Sequence, residues 1–293
     1  MAAKFEQLGL IGCGLMGGSF ALAVKRAGLV KRVVGYSKSP STTERARQMG
    51  IIDVEAPSAL LAVSGADLVL LAVPVSATEA TFKAIRHLIT SNMLIMDVGS
   101  TKHDVVEAAR RVLGSNLGSF VPAHPIAGKE VSGVEHADAE LYIGKQVILT
   151  PMEKTQVGHL KRATELWEAL GCHVQQMAPE AHDAAFAAVS HMPHLLAFAL
   201  MHAINNQPMG KDFLALAGPG FRDFTRIAAS DPKMWRDVLL ANKHEVVEQA
   251  KMFQRSLLNM LQLVEDGQGE KLEAMIELAS NSRSHWRMGQ KGK

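Results

Sequence analysis

The sequence predicts an α/β half with a parallel-rich sheet, followed by an all-α half. Short aliphatic runs alternate with amphipathic segments as far as residue 177, and strand-like runs stop after Pro179. Such alternation is typical of parallel strands joined by helices that cover both faces of the sheet. A length of 293 residues agrees with two domains of ordinary size. We therefore expect one domain at residues 1–177 and a second at 178–293.

The strands predicted in the first half are short, aliphatic and bounded by glycine, proline or polar residues. They are Leu8–Ile11, Val33–Tyr36, Leu68–Val73, Met93–Asp97, Phe120–Ala123, Gln146–Leu149 and Cys172–Met177. The helices predicted between them are Gly17–Ala27, Thr42–Met49, Thr78–Ile89, Asp104–Leu113 and Thr155–Leu170. In Thr78–Ile89 and Asp104–Leu113 the apolar residues recur every three or four positions, as one buried helix face requires.

The second half is predicted to be helical, with breaks at glycine, proline and aspartate. Its predicted helices are Ala181–Ile204, Lys211–Leu216, Phe221–Ala229, Lys233–Val264 and Lys271–Arg283. Asp231 and Pro232 are expected to begin the fourth helix as its N-cap and first residue. The uncharged stretch Ala184–Gly210 is long enough to span a bilayer. Because it contains histidines, asparagines and a proline, we expect a helix buried by other helices, including those of a second subunit.

The composition excludes several classes of protein. Lys and Arg number 31 against 29 Asp and Glu, so no excess of cations is available to follow a nucleic-acid backbone. The two cysteines, Cys13 and Cys172, cannot form a disulfide framework. The first residues carry Lys4 and Glu6 and no long apolar run, unlike a signal peptide. We expect a cytoplasmic protein without nucleic-acid or membrane partners.

A glycine-rich turn follows the first predicted strand and opens the first helix. Gly12, Gly14 and Gly17 match G-x-G-x-x-G, the dinucleotide-binding pattern of a Rossmann-type domain. The first glycine permits a tight turn, the second lets the backbone approach a pyrophosphate, and the third allows close packing of helix and strand. The pyrophosphate then lies at the positive end of the helix. The other expected cofactor contacts are Leu15, Met16, Val73 and Pro74.

The second predicted strand ends without the carboxylate that usually binds the ribose 2′-hydroxyl of NAD. Ser37 occupies that position, followed by Lys38 and Ser39. A carboxylate would repel a 2′-phosphate, whereas hydroxyls and a lysine can bind one. The sequence therefore favours NADP over NAD, although Lys38 as a plain surface charge remains an alternative.

His124 and Ser100 follow two neighbouring predicted strands, at the sheet edge where ligands bind in open α/β folds. A histidine there can act as a general base near neutral pH. Two simpler interpretations stay open. A His-Pro turn is often structural, and Ser100 with Thr101 would serve equally well as a helix N-cap.

Several motifs together resemble the prephenate/arogenate dehydrogenases of tyrosine biosynthesis, over nearly the whole chain. They occur in the family's order and are Gly12–Ser19, Asp97–Ser100, His124–Gly128, Ser190–His194, Phe221–Arg226, Asp231–Pro232 and Met234–Asp237. The resemblance implies oxidation at ring carbon C4 of prephenate or arogenate, hydride transfer to a nicotinamide, and loss of the ring carboxylate as CO₂. It also implies a homodimer formed through the all-α dimerisation domain.

The resemblance also assigns roles to individual residues. His124 takes the proton of the C4 hydroxyl, Ser100 orients it, and Arg226 binds a substrate carboxylate. The remaining expected substrate contacts are His191, His194, Trp235 and Glu130. For Glu130 and Asp223 an ordinary surface ion pair is the alternative, and for Trp235 a packing role. Lys129 departs from the small or hydroxyl residue of several relatives, which puts the contacts there in doubt.

Two other functions and a metal site fit parts of the sequence less well. A β-hydroxyacid dehydrogenase also pairs a Rossmann half with a helical half, but it needs a helix lysine where this chain has His191 and His194. A non-catalytic NADP sensor has no need of Ser100, His124 and Arg226 together. The H-x-x-H spacing of His191 and His194 suggests a metal, yet Pro193 lies between them and no third ligand is adjacent, so no metal is expected. The residues leave the choice between prephenate and arogenate open, although the family's association of NADP with arogenate favours the latter.

Overall fold

The computed structural model describes residues 4–129 and 131–287. The strands are β1 (Phe5–Ile11), β2 (Val30–Tyr36), β3 (Val54–Glu55), β4 (Leu68–Leu71), β5 (Leu94–Asp97), β6 (Phe120–Val121), β7 (Ala123–Pro125), β8 (Gln146–Leu149) and β9 (His173–Gln176). The first helices are α1 (Leu15–Arg26), α2 (Pro40–Gln48), α3 (Ala59–Val63), α4 (Thr78–Ile85), α5 (His103–Leu113) and α6 (Val157–Ala169). The later helices are α7 (Pro179–Phe186), α8 (Met192–Asn205), α9 (Gly210–Ala215), α10 (Pro219–Thr225), α11 (Pro232–Ala241), α12 (Lys243–Glu265) and α13 (Gly269–His285).

Six strands form a parallel sheet in the order β3-β2-β1-β4-β5-β6. Alternate residues of the central strands enter two separate hydrophobic clusters, since Leu68 and Leu70 belong to one and Val69 and Leu71 to the other. A sheet with both faces buried explains why these strands are aliphatic throughout rather than alternating with polar residues. The strand order reverses between β1 and β4, and ligands of open α/β sheets bind beyond the carboxyl ends of such strands. The predicted Rossmann-type fold is confirmed.

The predicted strand Phe120–Ala123 is two strands in different sheets. β6 ends at Val121, and Ala123 begins β7, which pairs antiparallel with β8, while β8 pairs parallel with β9. Pro122 stands at the break because it has no N–H to continue a ladder. His124 therefore lies within a strand of a second sheet, opposite Ile148, and not beyond the end of a main-sheet strand as the sequence suggested.

The helix predicted at Ala181–Ile204 runs from Pro179 to Asn205, and its residues Ala187–His191 form a π-helical turn. It is the one helix of the described residues that is long and apolar enough to cross a membrane, by length and composition only. Within its most apolar window 22% of the residues are buried. The helices of this chain therefore bury only part of this helix, and its cover by a second subunit stays a prediction.

The helix predicted at Lys233–Val264 is interrupted at Asn242, which separates α11 from α12. Asn242 is buried, and its side-chain amide donates to the carbonyl of Asp183 and contacts Nδ1 of His191. Asp231 caps α11 as predicted, since its carboxylate accepts a hydrogen bond from N of Met234. The sequence also missed the two-residue β3 and the five-residue α3.

Two compact units divide the chain, residues 1–243 and 244–293. The first contains the two sheets, α1 to α11 and those of the proposed cofactor and substrate contacts that the structure describes. The second contains α12 from His244 onward and α13, which carry exposed apolar side chains. These are Val247, Met252, Phe253, Leu257, Leu258, Leu261, Val264, Ile276 and Leu278.

Candidate active site

The glycine turn has the geometry that a dinucleotide requires. Gly12 has φ of +99°, and a Cβ atom there would lie 2.2 Å from the carbonyl oxygen of Ala72. A Cβ atom on Gly17 would lie 2.0 Å from the carbonyl oxygen of Gly12, so only glycine fits either position. A Cβ atom on Gly14 would meet no atom within 4 Å. Gly14 is the N-cap of α1, and no side chain caps the first turn, so its N–H groups are the ones that a bound phosphate would use.

The other residues expected to contact the cofactor surround this turn. Leu15 and Met16 are half-buried in the first turn of α1 and pack against the main hydrophobic cluster. Val73 and Pro74 follow β4; Val73 is half-buried and Pro74 is exposed. The backbone of Ala72 and Val73 approaches Gly12, so the ends of β1 and β4 lie side by side at the point where the strand order reverses.

Ser37, Lys38 and Ser39 lie beyond β2, as predicted. Oγ of Ser37 accepts a hydrogen bond of 2.8 Å from N of Cys13, which ties the end of β2 to the glycine turn. Because a hydroxyl both donates and accepts, its O–H remains available to a ligand. Lys38 is exposed, and the exposed hydroxyl of Ser39 lies 2.8 Å from that of Ser41 at the start of α2.

His124 is the first member of a hydrogen-bonded chain that the sequence did not predict. Its Nδ1 lies 2.8 Å from Nε2 of His182, and Nδ1 of His182 lies 2.7 Å from Oδ1 of Asp183. Asp183 is held in turn by N–H groups of Lys102 and His103 at 2.8 and 2.9 Å. These contacts satisfy the N-terminus of α5, so the interpretation of Ser100 and Thr101 as its N-cap is wrong.

The positions of the protons along the hydrogen-bonded chain follow from the carboxylate of Asp183, the acceptor at its end. Burial raises the pKa of Asp183, but hydrogen bonds from His182 and two backbone N–H groups hold it below its usual range. An ionised carboxylate only accepts, so Nδ1 of His182 donates to it. Burial lowers the pKa of both His182 and His124, and the neighbouring His182 and Lys102 lower that of His124 further. Each ring is neutral, Nδ1 of His124 donates to His182, and Nε2 of His124 is left as the acceptor.

Ser100 and His191 lie on the same side of the fold. Ser100 follows β5 after Gly99 and is half-buried, and its backbone lies close enough to the ring of His191 to favour the protonated form of that ring. Burial is the larger effect and lowers the pKa of His191 to about 4. His191 faces the protein interior, with Nδ1 next to the side-chain amide of Asn242 at 3.1 Å.

His194 and Trp235 form a stacked pair, with ring centroids 3.6 Å apart and planes inclined by 23°. Nδ1 of His194 lies 2.9 Å from the carbonyl oxygen of Ser190, which fixes the direction of the ring. Burial lowers the pKa of His194. The structure therefore brings together two of the substrate contacts implied by the resemblance, Trp235 being buried against the histidine rather than in a general core.

Arg226 begins the 3₁₀ segment Arg226–Ala229, which packs against α8, the helix that carries His194. Its side chain is exposed. Glu130 lies outside the described residues. Asp223 pairs with the neighbouring Arg222, and Lys129 pairs with Asp138, in both cases near solvent. Across residues 4–129 and 131–287, no three His, Cys, Asp or Glu side chains are placed to hold a metal ion.

Two residues of the hydrogen-bonded chain, His182 and Asp183, lie in none of the sequence motifs described above. A weak signal was present, because Asp183 is the last charged residue before the uncharged stretch Ala184–Gly210. A carboxylate at the edge of an apolar helix is expected to have a buried partner. One sequence does not show which residues pair in this way. His124 and His182, for example, are 58 positions apart.

Comparison with protein families matches two models, one after the other. The prephenate dehydrogenase nucleotide-binding domain matches residues 20–176, and the prephenate dehydrogenase dimerization domain matches residues 178–278. Among curated relatives, prephenate dehydrogenase of Bacillus subtilis is 37% identical over 288 residues, which is 97% of this chain and 76% of that protein. Cyclohexadienyl dehydrogenase of Zymomonas mobilis is 34% identical over 240 residues, 81% of each chain.

Similar solved structures include a prephenate dehydrogenase and an arogenate dehydrogenase. Prephenate dehydrogenase from Aquifex aeolicus, in complex with hydroxyphenyl propionate and NAD⁺, has a TM-score of 0.90 and 37% identity, over 97% of this chain and 99% of that one. Synechocystis arogenate dehydrogenase has a TM-score of 0.81 and 25% identity, over 95% and 99%. A Mycobacterium tuberculosis 3-hydroxyisobutyrate dehydrogenase, at 16% identity and a TM-score of 0.54 over 86% of this chain and 94% of that one, shares the fold alone. The chain belongs to the prephenate dehydrogenase family of NAD(P)-dependent oxidoreductases.

Proposed function

We propose that the chain catalyses the oxidative decarboxylation of prephenate or arogenate, with His124 as the general base. The observation that carries this is the hydrogen-bonded chain from Asp183 through His182 to His124. Because both histidines are neutral and each Nδ1 donates, Nε2 of His124 is ready to accept a proton. The carboxylate of Asp183 then stabilises the positive charge that reaches His124.

The proposed chemistry begins at the ring hydroxyl on C4. Transfer of its proton to His124 makes loss of hydride from C4 easier, because the incipient carbonyl stabilises the electron-poor carbon. A bound nicotinamide supplies the hydride acceptor. Departure of the ring carboxylate as CO₂ makes the ring aromatic, which gives 4-hydroxyphenylpyruvate from prephenate or tyrosine from arogenate.

The remaining site residues orient the substrate in this proposal. Ser100 hydrogen-bonds the C4 hydroxyl, and Arg226 binds a carboxylate through its planar guanidinium. The stacked pair of His194 and Trp235 lies along the substrate side chain, with His191 behind it. Glu130 keeps its proposed place in polar contacts at the entrance.

NADP is the proposed preferred cofactor, with NAD as an alternative. Residues Gly12, Gly14 and Gly17 form the pyrophosphate turn, with Leu15, Met16, Val73 and Pro74 around it. The 2′-phosphate is met by Lys38, by the O–H of Ser37 and by Ser39 at the start of α2. The absence of a carboxylate after β2 supports this choice.

The proposed assembly is a cytoplasmic homodimer. We assign cofactor binding to residues 1–177 and dimerisation and substrate binding to 178–293. The family's dimerization model matches residues 178–278, which include the apolar helix Pro179–Asn205, of whose most apolar window only 22% is buried. A second subunit covering this helix accounts for its composition without a membrane.

His124→Asn tests the base. We expect kcat with prephenate or arogenate to fall at least about 10²-fold, because an amide cannot take the proton, while NADP binding stays within about threefold. The matched control is the exposed His173→Asn, which should leave both unchanged. An unaltered kcat in His124→Asn would remove His124 from the role of base. Comparison of kcat/KM for the two substrates decides between prephenate and arogenate.

A further inference from the structure

Lys102 is wholly buried beneath the site, a rare position for a lysine unless it is paired. Its partner is Asp97, the last residue of β5, which is 3% exposed. The proposed chemistry uses neither side chain. Burial of an ion pair stabilises a fold little, since desolvation of both charges offsets their attraction. The other contacts of the two residues indicate a role in positioning instead.

The Asp97–Lys102 pair forms hydrogen bonds with both the main-chain N and O of one residue, Ala123. Nζ of Lys102 forms an ion pair with Oδ2 of Asp97 and donates to the carbonyl oxygen of Ala123 at 2.9 Å. Oδ1 of Asp97 accepts from N of Ala123 at 3.0 Å. Ala123 directly precedes His124, at the point where the chain leaves the six-stranded sheet after Pro122. The ion pair thus satisfies both hydrogen-bonding groups of the Ala123 main chain.

The main chain of the same lysine holds the other end of the hydrogen-bonded chain. N of Lys102 donates to Oδ1 of Asp183, the atom that also lies 2.7 Å from Nδ1 of His182. The side chain of Lys102 therefore fixes the residue before His124, while its backbone fixes the anchor of His182. One residue sets the spacing between the two ends of the chain.

We propose that the Asp97–Lys102 pair is a positioning device that holds His124 in line with His182 and Asp183. This inference rests on the proposed role of His124 as the base. Neither residue touches the substrate in this scheme. Their effect reaches the reaction through the backbone of Ala123 and through their charges.

The charges around His124 come from several elements. The groups that face it are His182 and Asp183 of α7, Lys102 before α5, Asp97 of β5, and His191 of the π-helical turn. The Lys102 cation lowers the pKa of His124 and of His182, while Asp183 and Asp97 raise that of His182. Removal of the cation alone leaves Asp97 unbalanced and favours protonated histidine.

Two variants and one control test the proposal. In Lys102→Met we expect kcat to fall at least about tenfold, KM to stay within about threefold, and the acidic limb of the kcat–pH profile to move to higher pH. In the double variant Asp97→Asn/Lys102→Met the limb should return toward its native position while kcat stays low. The control Lys25→Met breaks a similar contact of a lysine with Asp53 and a carbonyl oxygen, away from Ala123, and should change none of these.

An unchanged kcat and pH profile in either folded variant would overturn the proposal. If neither variant folds, hydrogen exchange of the native protein decides: the Ala123 amide should exchange as slowly as those of β5, and exchange as fast as in the exposed Lys129 region would overturn it. If His124→Asn loses activity while Lys102→Met behaves like the native protein, the positioning proposal fails but His124 remains the base. If His124→Asn keeps its activity, the role of His124 as the base fails.

Discussion

The indole of Trp235 stacks on the imidazole of His194, although the two residues are 41 positions apart in the sequence and lie in different helices, α11 and α8. Both helices lie in the compact unit that contains the sheets. The pair forms one wall against which we place the substrate side chain, so its removal should affect binding more than chemistry.

Trp235→Leu should raise KM about 2- to 12-fold and change kcat less than about threefold. The reason is that an aromatic pair contributes about 0.5–1.5 kcal/mol beyond its buried area. Steady-state kinetics with saturating cofactor measure the effect. Trp286→Leu, at an exposed tryptophan, is the control. A fall in kcat without a change in KM would contradict the assignment of Trp235 to the wall.

Asp183→Asn should lower kcat by about 10²- to 10⁴-fold, with a smaller effect on KM. An amide can present N–H to His182, which would reverse the direction of its hydrogen bonds and leave Nε2 of His124 protonated. The kcat–pH profile should change with it, which a purely structural loss would not produce. Glu180→Gln, an exposed carboxylate in the same helix, should retain native kinetics.

Lys38→Glu should reduce kcat/KM for NADP about 10- to 100-fold and leave that for NAD within about threefold. A charge-assisted hydrogen bond to phosphate contributes about 1.5–3 kcal/mol, and a carboxylate would repel the phosphate instead. Lys145→Glu, at another exposed lysine, controls for the change in net charge. Equal losses with both cofactors would argue against a phosphate contact at Lys38.

Stability should fall as the pH is lowered from about 6.5 to about 4. Burial lowers the pKa of His191 from 6.5 to about 4, so in this window the unfolded chain binds a proton that the folded protein does not. This histidine alone corresponds to about 3 kcal/mol, and the lowered pKa values of His124 and His182 act in the same direction within this window. The lowered pKa of Asp183 adds to the loss of stability only near and below its usual value of 3.8. Melting temperatures measured across the window test this, and a flat profile would contradict it.

Most helices and strands could be predicted from the sequence because hydrophobic period and turn residues are local. Elements without a full period were missed, as with β3 and α3. Membership of a strand in one sheet or another is not local, so the division at Pro122 was also missed. At Asn242 neither glycine nor proline marks the break, which depends on contacts with Asp183 and His191.

The same distinction between local and long-range signals applies to the residues of the candidate site. Gly12, Gly14 and His124 lie in motifs, where residue type and spacing carry the chemistry. His182, Asp183 and Lys102 act through contacts made across 58 to 81 positions of sequence. A single sequence does not show such pairings, because any of several buried polar residues could be the hydrogen-bond partner of a given histidine or carboxylate.

The π-helical turn at Ala187–His191 lies between the part of the helix that carries His182 and the part that carries His194. A π turn amounts to one residue more than an α-helix would use. Deletion of the exposed Val189 would therefore restore regular α-helical winding while His182 stayed beside His124 and His194 stayed on the face of Trp235. Insertion of one more residue would instead rotate everything after it by about 100°. This turn is thus the place where the helix tolerates the loss of a residue but not the gain of one.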